Sequence, residues 1–187
     1  MQNARQNSKV LFLVQSALFA AILCILSPLA IPIGPIPITL GVFAVMFAGV
    51  VLDWKRASVA VLVYILLGVI GLPVFSGGNS GPGVIAGPTG GYLWAYLPMA
   101  ALIAALGGKP RARELDEDWR AFAACLLSMV VLYVLGTSQF TLVADSSWGH
   151  ARAVCVYPFL PFDIGKAVCA TLLGVRIRRR LRAAGLM

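Results

Sequence analysis

Two opposite charges stand three residues apart, Asp163 and Lys166, in the otherwise apolar stretch YPFLPFDIGKAVCATLLGV. Residues three apart share one face of a helix, so the carboxylate and the ammonium can project into the same cavity. A simpler interpretation is that they neutralise each other and that Asp163, shortly after Pro161, faces the positive end of a helix. Because ionisable groups inside membrane segments commonly mark substrate or ion sites, we predict a substrate role for the pair.

Neutral side chains elsewhere in the chain could complete such a site. Hydrogen-bonding groups and flat apolar walls are the usual lining of a small-molecule site. The candidates of the two kinds are Thr39, Asn79, Thr89 and Tyr92, and then Phe75, Trp94 and Tyr96. Aromatic residues near a membrane surface also serve as interfacial anchors, and this alternative stays open for the second group.

Several kinds of catalytic and metal site are excluded by residue type. The chain has one histidine, His150, and therefore no histidine-based zinc motif. Its four cysteines fall at no metal-ligand spacing, so we expect neither a metal site nor a disulfide. Since no P-loop lysine follows a glycine-rich stretch, the chain is not expected to hydrolyse ATP through a P-loop.

The composition places the chain in a membrane. Of its 187 residues, 60% are hydrophobic and 12% are charged, which lies outside the range of ordinary soluble domains. The net charge of +8 is gathered at a few points between apolar runs and forms no continuous stripe, so we predict no nucleic-acid partner.

Six apolar segments predict an all-α integral membrane protein with a single domain over residues 1–187, a multi-pass protein of the cytoplasmic (inner) membrane. A bilayer core needs about 20 helical residues, which the second and third segments do not quite reach. The first segment could also be a signal peptide, but no small-residue cleavage site follows it. The segments are 10–28, 38–52, 57–71, 91–107, 121–140 and 158–175.

The basic residues predict the orientation of these segments. With the N-terminus inside, the inner loops and ends carry nearly all lysines and arginines, whereas the outer loops carry Arg152. Basic residues stay preferentially on the cytoplasmic side, so six helices with both termini in the cytoplasm are predicted. The acids of RARELDEDWR then belong to a solvated, charged inner linker.

Two outer connections, AIPIGPIPIT and LPVFSGGNSGPGVIAGPTGGY, have no charge and are rich in glycine and proline. Such segments are not expected to form regular helix. Irregular backbone at membrane depth must be buried in protein or line a cavity, so we expect these loops to cover a pocket that opens outward. The alternative is that they are exposed turns.

Small residues on the first helix suggest a packing face. Ala17 and Ala21 in ALFAA have the four-residue spacing that lets helices approach closely. The spacing recurs at other places in the chain, and the two alanines could equally lie inside the bundle.

A family resemblance connects these features. The stretches PIPITL from Pro35, GLPVFSGG from Gly71, GPTGGYLWAY from Gly87 and PFLPFDIGKA from Pro158 resemble, in the same order, motifs of the BioY family. Members of this family are the substrate-binding membrane subunits, or S components, of energy-coupling factor (ECF) transporters for biotin.

The resemblance implies a six-helix subunit that binds biotin on the extracellular side and associates with a transmembrane coupling subunit and two cytoplasmic ATPase subunits. No cofactor and no catalytic residue are implied, since the partners use the ATP. It gives Ala17 and Ala21 a role as the contact face for the coupling subunit. Gly41 departs from the family pattern, in which glutamine commonly follows PITL. The implied substrate-binding residues are Thr39, Asn79, Thr89, Gly90, Gly91, Tyr92, Asp163 and Lys166.

The chemistry of biotin suits the opening pair. Its ureido ring has two N–H donors and a carbonyl acceptor, and its tail ends in a carboxylate. Asp163 can accept from the ureido N–H groups, while Lys166 can donate to the ureido oxygen or pair with the carboxylate. The sequence leaves the orientation of biotin open.

Two other classes of function remain as alternatives. A membrane enzyme for a lipid-like substrate could use Asp163 as a general base, but no histidine, nucleophile dyad or metal cluster completes such a mechanism. A proton-coupled carrier could take up its proton on Asp163.

Overall fold

The computed structural model describes residues 2–32, 36–107 and 114–186, and most of them are helical. Two short strands, β1 (Ala30–Ile31) and β2 (Ile38–Thr39), pair antiparallel between the first two helices. In chain order the helices are α1 (Gln2–Leu26), α2 (Gly41–Val51), α3 (Trp54–Val69), α4 (Pro82–Ala86), α5 (Gly90–Gly107), α6 (Glu114–Val143), α7 (Trp148–Cys155) and α8 (Leu160–Ala183).

Each predicted apolar segment coincides with one of the six longer helices, namely α1, α2, α3, α5, α6 and α8. Among the described residues, α1, α5 and α6 are long and apolar enough to cross a membrane. The pair α7 and α8, which meet at a bend of 47°, would make a fourth span. Helices α2 and α3 have 11 and 16 residues, so length and composition alone support fewer spans than the six predicted.

One prediction about the outer loops is wrong. The glycine- and proline-rich segment after α3 contains the helical turn α4, although no regular helix was expected there. Pro82 occupies the first turn of α4, where a missing N–H costs no hydrogen bond. Gly81 precedes it with a φ of 92°, a backbone conformation that favours glycine.

Helix α2 lies at the centre of the bundle, with most of its residues buried against α5 and α8. Glycines allow this close packing: a Cβ on Gly49 would lie 2.8 Å from Ile103 Cβ, and one on Gly174 would lie 2.6 Å from Val50 Cγ1. Its central position explains why α2 is apolar on all sides, since no side faces water.

The bundle has two distinct ends. At the first, which we call the cavity end, α1 and α6 finish and α2, α5 and α8 begin. At the second, which we call the basic end, α2 and α5 finish and α3 and α6 begin. The arginine-rich C-terminal part of α8 also lies at this end.

An ion cluster at the basic end corrects the prediction of a solvated linker. Glu117 is 4% exposed and accepts hydrogen bonds from Arg178 (3.0 Å), Arg179 (2.9 Å) and Arg182 (2.8 Å). Arg178 is 1% exposed and also donates to the Val50 carbonyl at the end of α2, over 2.9 Å. Because α6 begins where α8 carries its arginines, this acid is buried as a partner for them.

Candidate substrate-binding site

An apolar cavity opens at the cavity end, between helices α2, α5, α6 and α8 and the loop that follows α3. A few hydroxyl groups and one pair of charges interrupt its apolar walls. It is lined by Ser27, Ile36, Pro37, Thr39, Val42, Phe75, Ser76, Val84, Thr89, Tyr92, Leu93, Tyr96, Leu132, Tyr133, Phe159, Asp163 and Lys166.

Asp163 is the most strongly held polar group in the cavity. Its side chain is 2% exposed, and its Oδ1 accepts from Lys166 Nζ at 2.8 Å. Its Oδ2 accepts from Tyr133 Oη, also at 2.8 Å. The carboxylate lies in the first turn of α8, where the helix dipole favours negative charge. Each carboxylate oxygen keeps a lone pair with which to accept a further donor.

Tyr133 is a site residue that the sequence analysis did not identify. It lies in the middle of the apolar helix α6, and its hydroxyl reaches Asp163 on α8. A tyrosine buried inside an apolar run needs a partner for its hydroxyl, and that need is the signal that could have pointed to it.

Three of the predicted neutral residues, Thr39, Thr89 and Tyr92, also line the cavity. Thr39 is the last residue of β2, and its Oγ1 accepts from the backbone N–H of Gly41 at 2.7 Å. Tyr92 Oη donates to the carbonyl of Cys155 over 3.1 Å, which joins α5 to the end of α7. Of the predicted apolar walls, Phe75 and Tyr96 line the cavity, whereas Trp94 is 53% exposed.

The remaining predicted residues lie outside the cavity lining. A Cβ on Gly90 would lie 1.8 Å from the Ile85 carbonyl oxygen, and one on Gly91 would lie 2.4 Å from that of Leu135. These two glycines therefore allow close backbone approach at the start of α5. Asn79 is exposed in the loop, where its side chain donates to the Ser76 carbonyl at 2.8 Å.

The loop over the cavity is anchored at both ends. Phe75 is fully buried and packs edge-on against Tyr64, in the space left by the absent side chain of Gly68. On the other side, Gln139 Nε2 on α6 donates to the carbonyls of Ile85 and Gly87, both at 2.8 Å.

Ala17 and Ala21 lie on an exposed face of α1, away from the bundle interior. Larger exposed side chains flank them, among them Leu18 at 58% and Ile25 at 67% exposure, while Ala20 on the opposite face is 3% exposed. This placement argues against the alternative that the two alanines pack inside the bundle.

Known proteins share this sequence and this fold. The model of the BioY family matches residues 1–183. The chain is 39% identical over 176 residues to the biotin transporter BioY2 of Lactococcus lactis subsp. cremoris, covering 94% of each chain. It is 34% identical over 167 residues to the biotin transporter BioY of Thermotoga maritima, covering 89% of this chain and 95% of the relative.

A solved structure agrees with these matches. The crystal structure of the S-component for biotin from an ECF-type ABC transporter superposes with a TM-score of 0.80 at 29% sequence identity, over 92% of this chain and 93% of that one. The motifs, the fold and the extent of these matches together show that the chain belongs to the BioY family.

Proposed function

We propose that this protein binds biotin and acts as the substrate-binding membrane subunit of an ECF transporter. The observation that carries the proposal is the buried Asp163–Lys166 pair, held by Tyr133 in an otherwise apolar cavity, in a chain of this family. The carboxylate can accept from the ureido N–H groups of biotin, and the apolar walls suit its bicyclic body. The site binds and releases its ligand without catalysing a reaction.

The proposed topology has six membrane-crossing helices with both termini in the cytoplasm. The distribution of charge supports it, since Lys55, Arg56 and the arginines of α8 lie at the basic end. By the positive-inside rule this end faces the cytoplasm, so the cavity opens to the outside. Helix α2 crosses inside the bundle, where neighbouring helices rather than lipid surround it.

The proposed partners are a transmembrane coupling subunit and two cytoplasmic ATPase subunits, which supply the energy. This chain then needs no cofactor of its own. The exposed face around Ala17 and Ala21 is the proposed contact with the coupling subunit, because small side chains let a partner helix approach closely.

A binding isotherm of the purified chain tests the proposed function. We expect saturable binding of biotin and much weaker binding of riboflavin and thiamine, since neither of those vitamins has a ureido ring with two N–H donors for Asp163. Equal affinity for all three would contradict the biotin assignment. Uptake by vesicles that contain this chain alone, driven by a pH gradient, would instead favour the proton-coupled carrier.

A further inference from the structure

Three hydroxyl groups converge on the first residue of α2. A Cβ on Gly41 would lie 2.7 Å from Ser27 Oγ, 2.9 Å from Thr39 Oγ1 and 2.9 Å from Tyr96 Oη. All three hydroxyl-bearing residues line the cavity. Real Cβ atoms are essentially never found so close to other heavy atoms, so any side chain at this position would displace the hydroxyl cluster.

Two of these hydroxyl groups have protons to donate. The backbone N–H of Gly41 donates to Thr39 Oγ1 at 2.7 Å, which leaves the Thr39 proton to be donated in turn. Thr39 Oγ1 and Tyr96 Oη both lie close to the same point beside Gly41. Tyr96 lines the cavity, and its hydroxyl has a proton to donate there.

The ligand group that fits this donor is uncharged. Tyr96 is 3% exposed, and the hydroxyls of Ser27 and Thr39, which share its cluster around Gly41, carry no charge. Burying a carboxylate against such groups costs more than burying a carbonyl, because a charge needs a counter-charge or many donors when it leaves water. A carbonyl oxygen accepts from a tyrosine hydroxyl without that cost.

We infer that the Tyr96 hydroxyl donates a hydrogen bond to the ureido oxygen of biotin, and that Gly41 positions this donor in this chain, because a side chain there would displace the hydroxyl cluster. The inference rests on the proposed function. It adds a second polar contact to the cavity, with Asp163 accepting from the ureido N–H groups and Tyr96 donating to the oxygen.

The test combines a variant with a ligand analogue. Tyr96→Phe removes the hydroxyl and keeps the ring, and 2-thiobiotin replaces the ureido oxygen by sulfur, which is a weak acceptor. We expect Tyr96→Phe to bind biotin about 3- to 10-fold more weakly than the wild type, as for the loss of one hydrogen bond. For 2-thiobiotin the two proteins should bind nearly equally. Loss of a merely structural hydroxyl would weaken the binding of both ligands by the same factor.

Tyr64→Phe is the matched control. Tyr64 is fully buried beside the same cluster and its hydroxyl bonds to Ser27 Oγ at 2.6 Å, but its side chain does not line the cavity. The variant should keep the wild-type preference for biotin over 2-thiobiotin.

A second pair of variants tests the glycine. Gly41→Ala should reduce the preference for biotin over 2-thiobiotin, whereas Gly49→Ala, which clashes with Ile103 at a distance from the cavity, should lower stability and keep the preference. If wild-type protein binds biotin but Tyr96→Phe retains the full preference, the inference is wrong and the proposed function stands. If wild-type protein does not bind biotin, the proposed function itself fails.

Discussion

Asp163 accepts from two donors that come from different directions, Lys166 on its own helix and Tyr133 on α6. The two bonds fix the plane of the carboxylate. A buried, pre-positioned acceptor of this kind loses little conformational entropy when a ligand binds, so its hydrogen bond to the ligand contributes more of its strength to affinity.

We therefore predict that Asp163→Asn weakens biotin binding by about 1.5–3 kcal/mol, because the amide loses the charge-assisted hydrogen bond. Isothermal titration calorimetry in detergent measures the change. The control is Asp145→Asn, outside the cavity lining, where the backbone has a φ of 46° that asparagine tolerates. Unchanged affinity in a folded Asp163→Asn variant would reduce Asp163 to a residue that stabilises the start of α8.

Lys166 requires a different design. Removing the ammonium also leaves the carboxylate of Asp163, which is 2% exposed, without its counter-charge. A single variant such as Lys166→Met therefore mixes a lost ligand contact with an unpaired buried charge. A double-mutant cycle of the two residues separates these contributions.

The loop between α3 and α5 is the element that covers the cavity. Its glycines Gly77, Gly78 and Gly81 have positive φ angles, and Phe75 and Gln139 are its anchors. The segment 72–90 is expected to be more mobile without ligand than with it, since its glycines contribute few side-chain contacts of their own. Hydrogen exchange with and without biotin tests this expectation.

The hydrogen bonds of Gln139 lead to a second prediction about the mobility of this loop. Gln139→Leu removes both hydrogen bonds to the carbonyls of Ile85 and Gly87, so amide exchange in α4 and the following turn should rise without ligand. Ser138→Ala is the neighbouring control, because the Ser138 hydroxyl bonds within α6 to the Val134 carbonyl. Unaltered exchange in Gln139→Leu would mean that the other contacts of the loop, among them Phe75 and the hydrogen bond from the Gly81 N–H to the Gly68 carbonyl, hold it without Gln139.

At the scale of the whole molecule, α6 and α8 are joined by polar contacts at both ends of the bundle. Tyr133 contacts Asp163 at the cavity end, and Glu117 contacts Arg178 at the basic end. The first contact belongs to the site. The contact between Glu117 and Arg178 holds α8 against α6 and α2, far from the site.

Glu117→Gln should destabilise the protein by about 3 kcal/mol, because Arg178 then stays buried without its counter-charge. Thermal unfolding in detergent measures the loss, with the exposed Asp116→Asn as the control. Biotin affinity well below the unfolding temperature should be unaffected, since the cluster does not line the cavity. Loss of affinity in a folded variant would show that the two ends are coupled.

The partner contact is also a property of the whole molecule. Ala17→Leu should leave biotin affinity intact and reduce co-purification with the coupling subunit, because a bulky side chain on the exposed face of α1 prevents close approach of a partner helix. Ala20→Leu is the contrasting variant: Ala20 is 3% exposed inside the bundle, so overpacking should lower yield and biotin affinity together. If Ala17→Leu keeps both properties or loses both, the contact-face proposal fails.

The sequence by itself determined the class of the fold and the central pair of the site. Apolar runs interrupted by basic clusters are local patterns, and each predicted run coincides with a helix. Asp163 and Lys166 lie on one helix, and residues three apart share a face whatever the rest of the fold does.

The tertiary structure decided which distant residues meet. Tyr133 and Asp163 are 30 positions apart, and Glu117 and Arg178 are 61 positions apart, so no local pattern relates them. The acids at the start of α6 were predicted to be solvated because a charge run normally is, and only the antiparallel approach of α8 places Glu117 among arginines. The role of Gly41 likewise depends on the tertiary structure. The absence of its side chain matters because Ser27, Thr39 and Tyr96 occupy the space that a side chain would need.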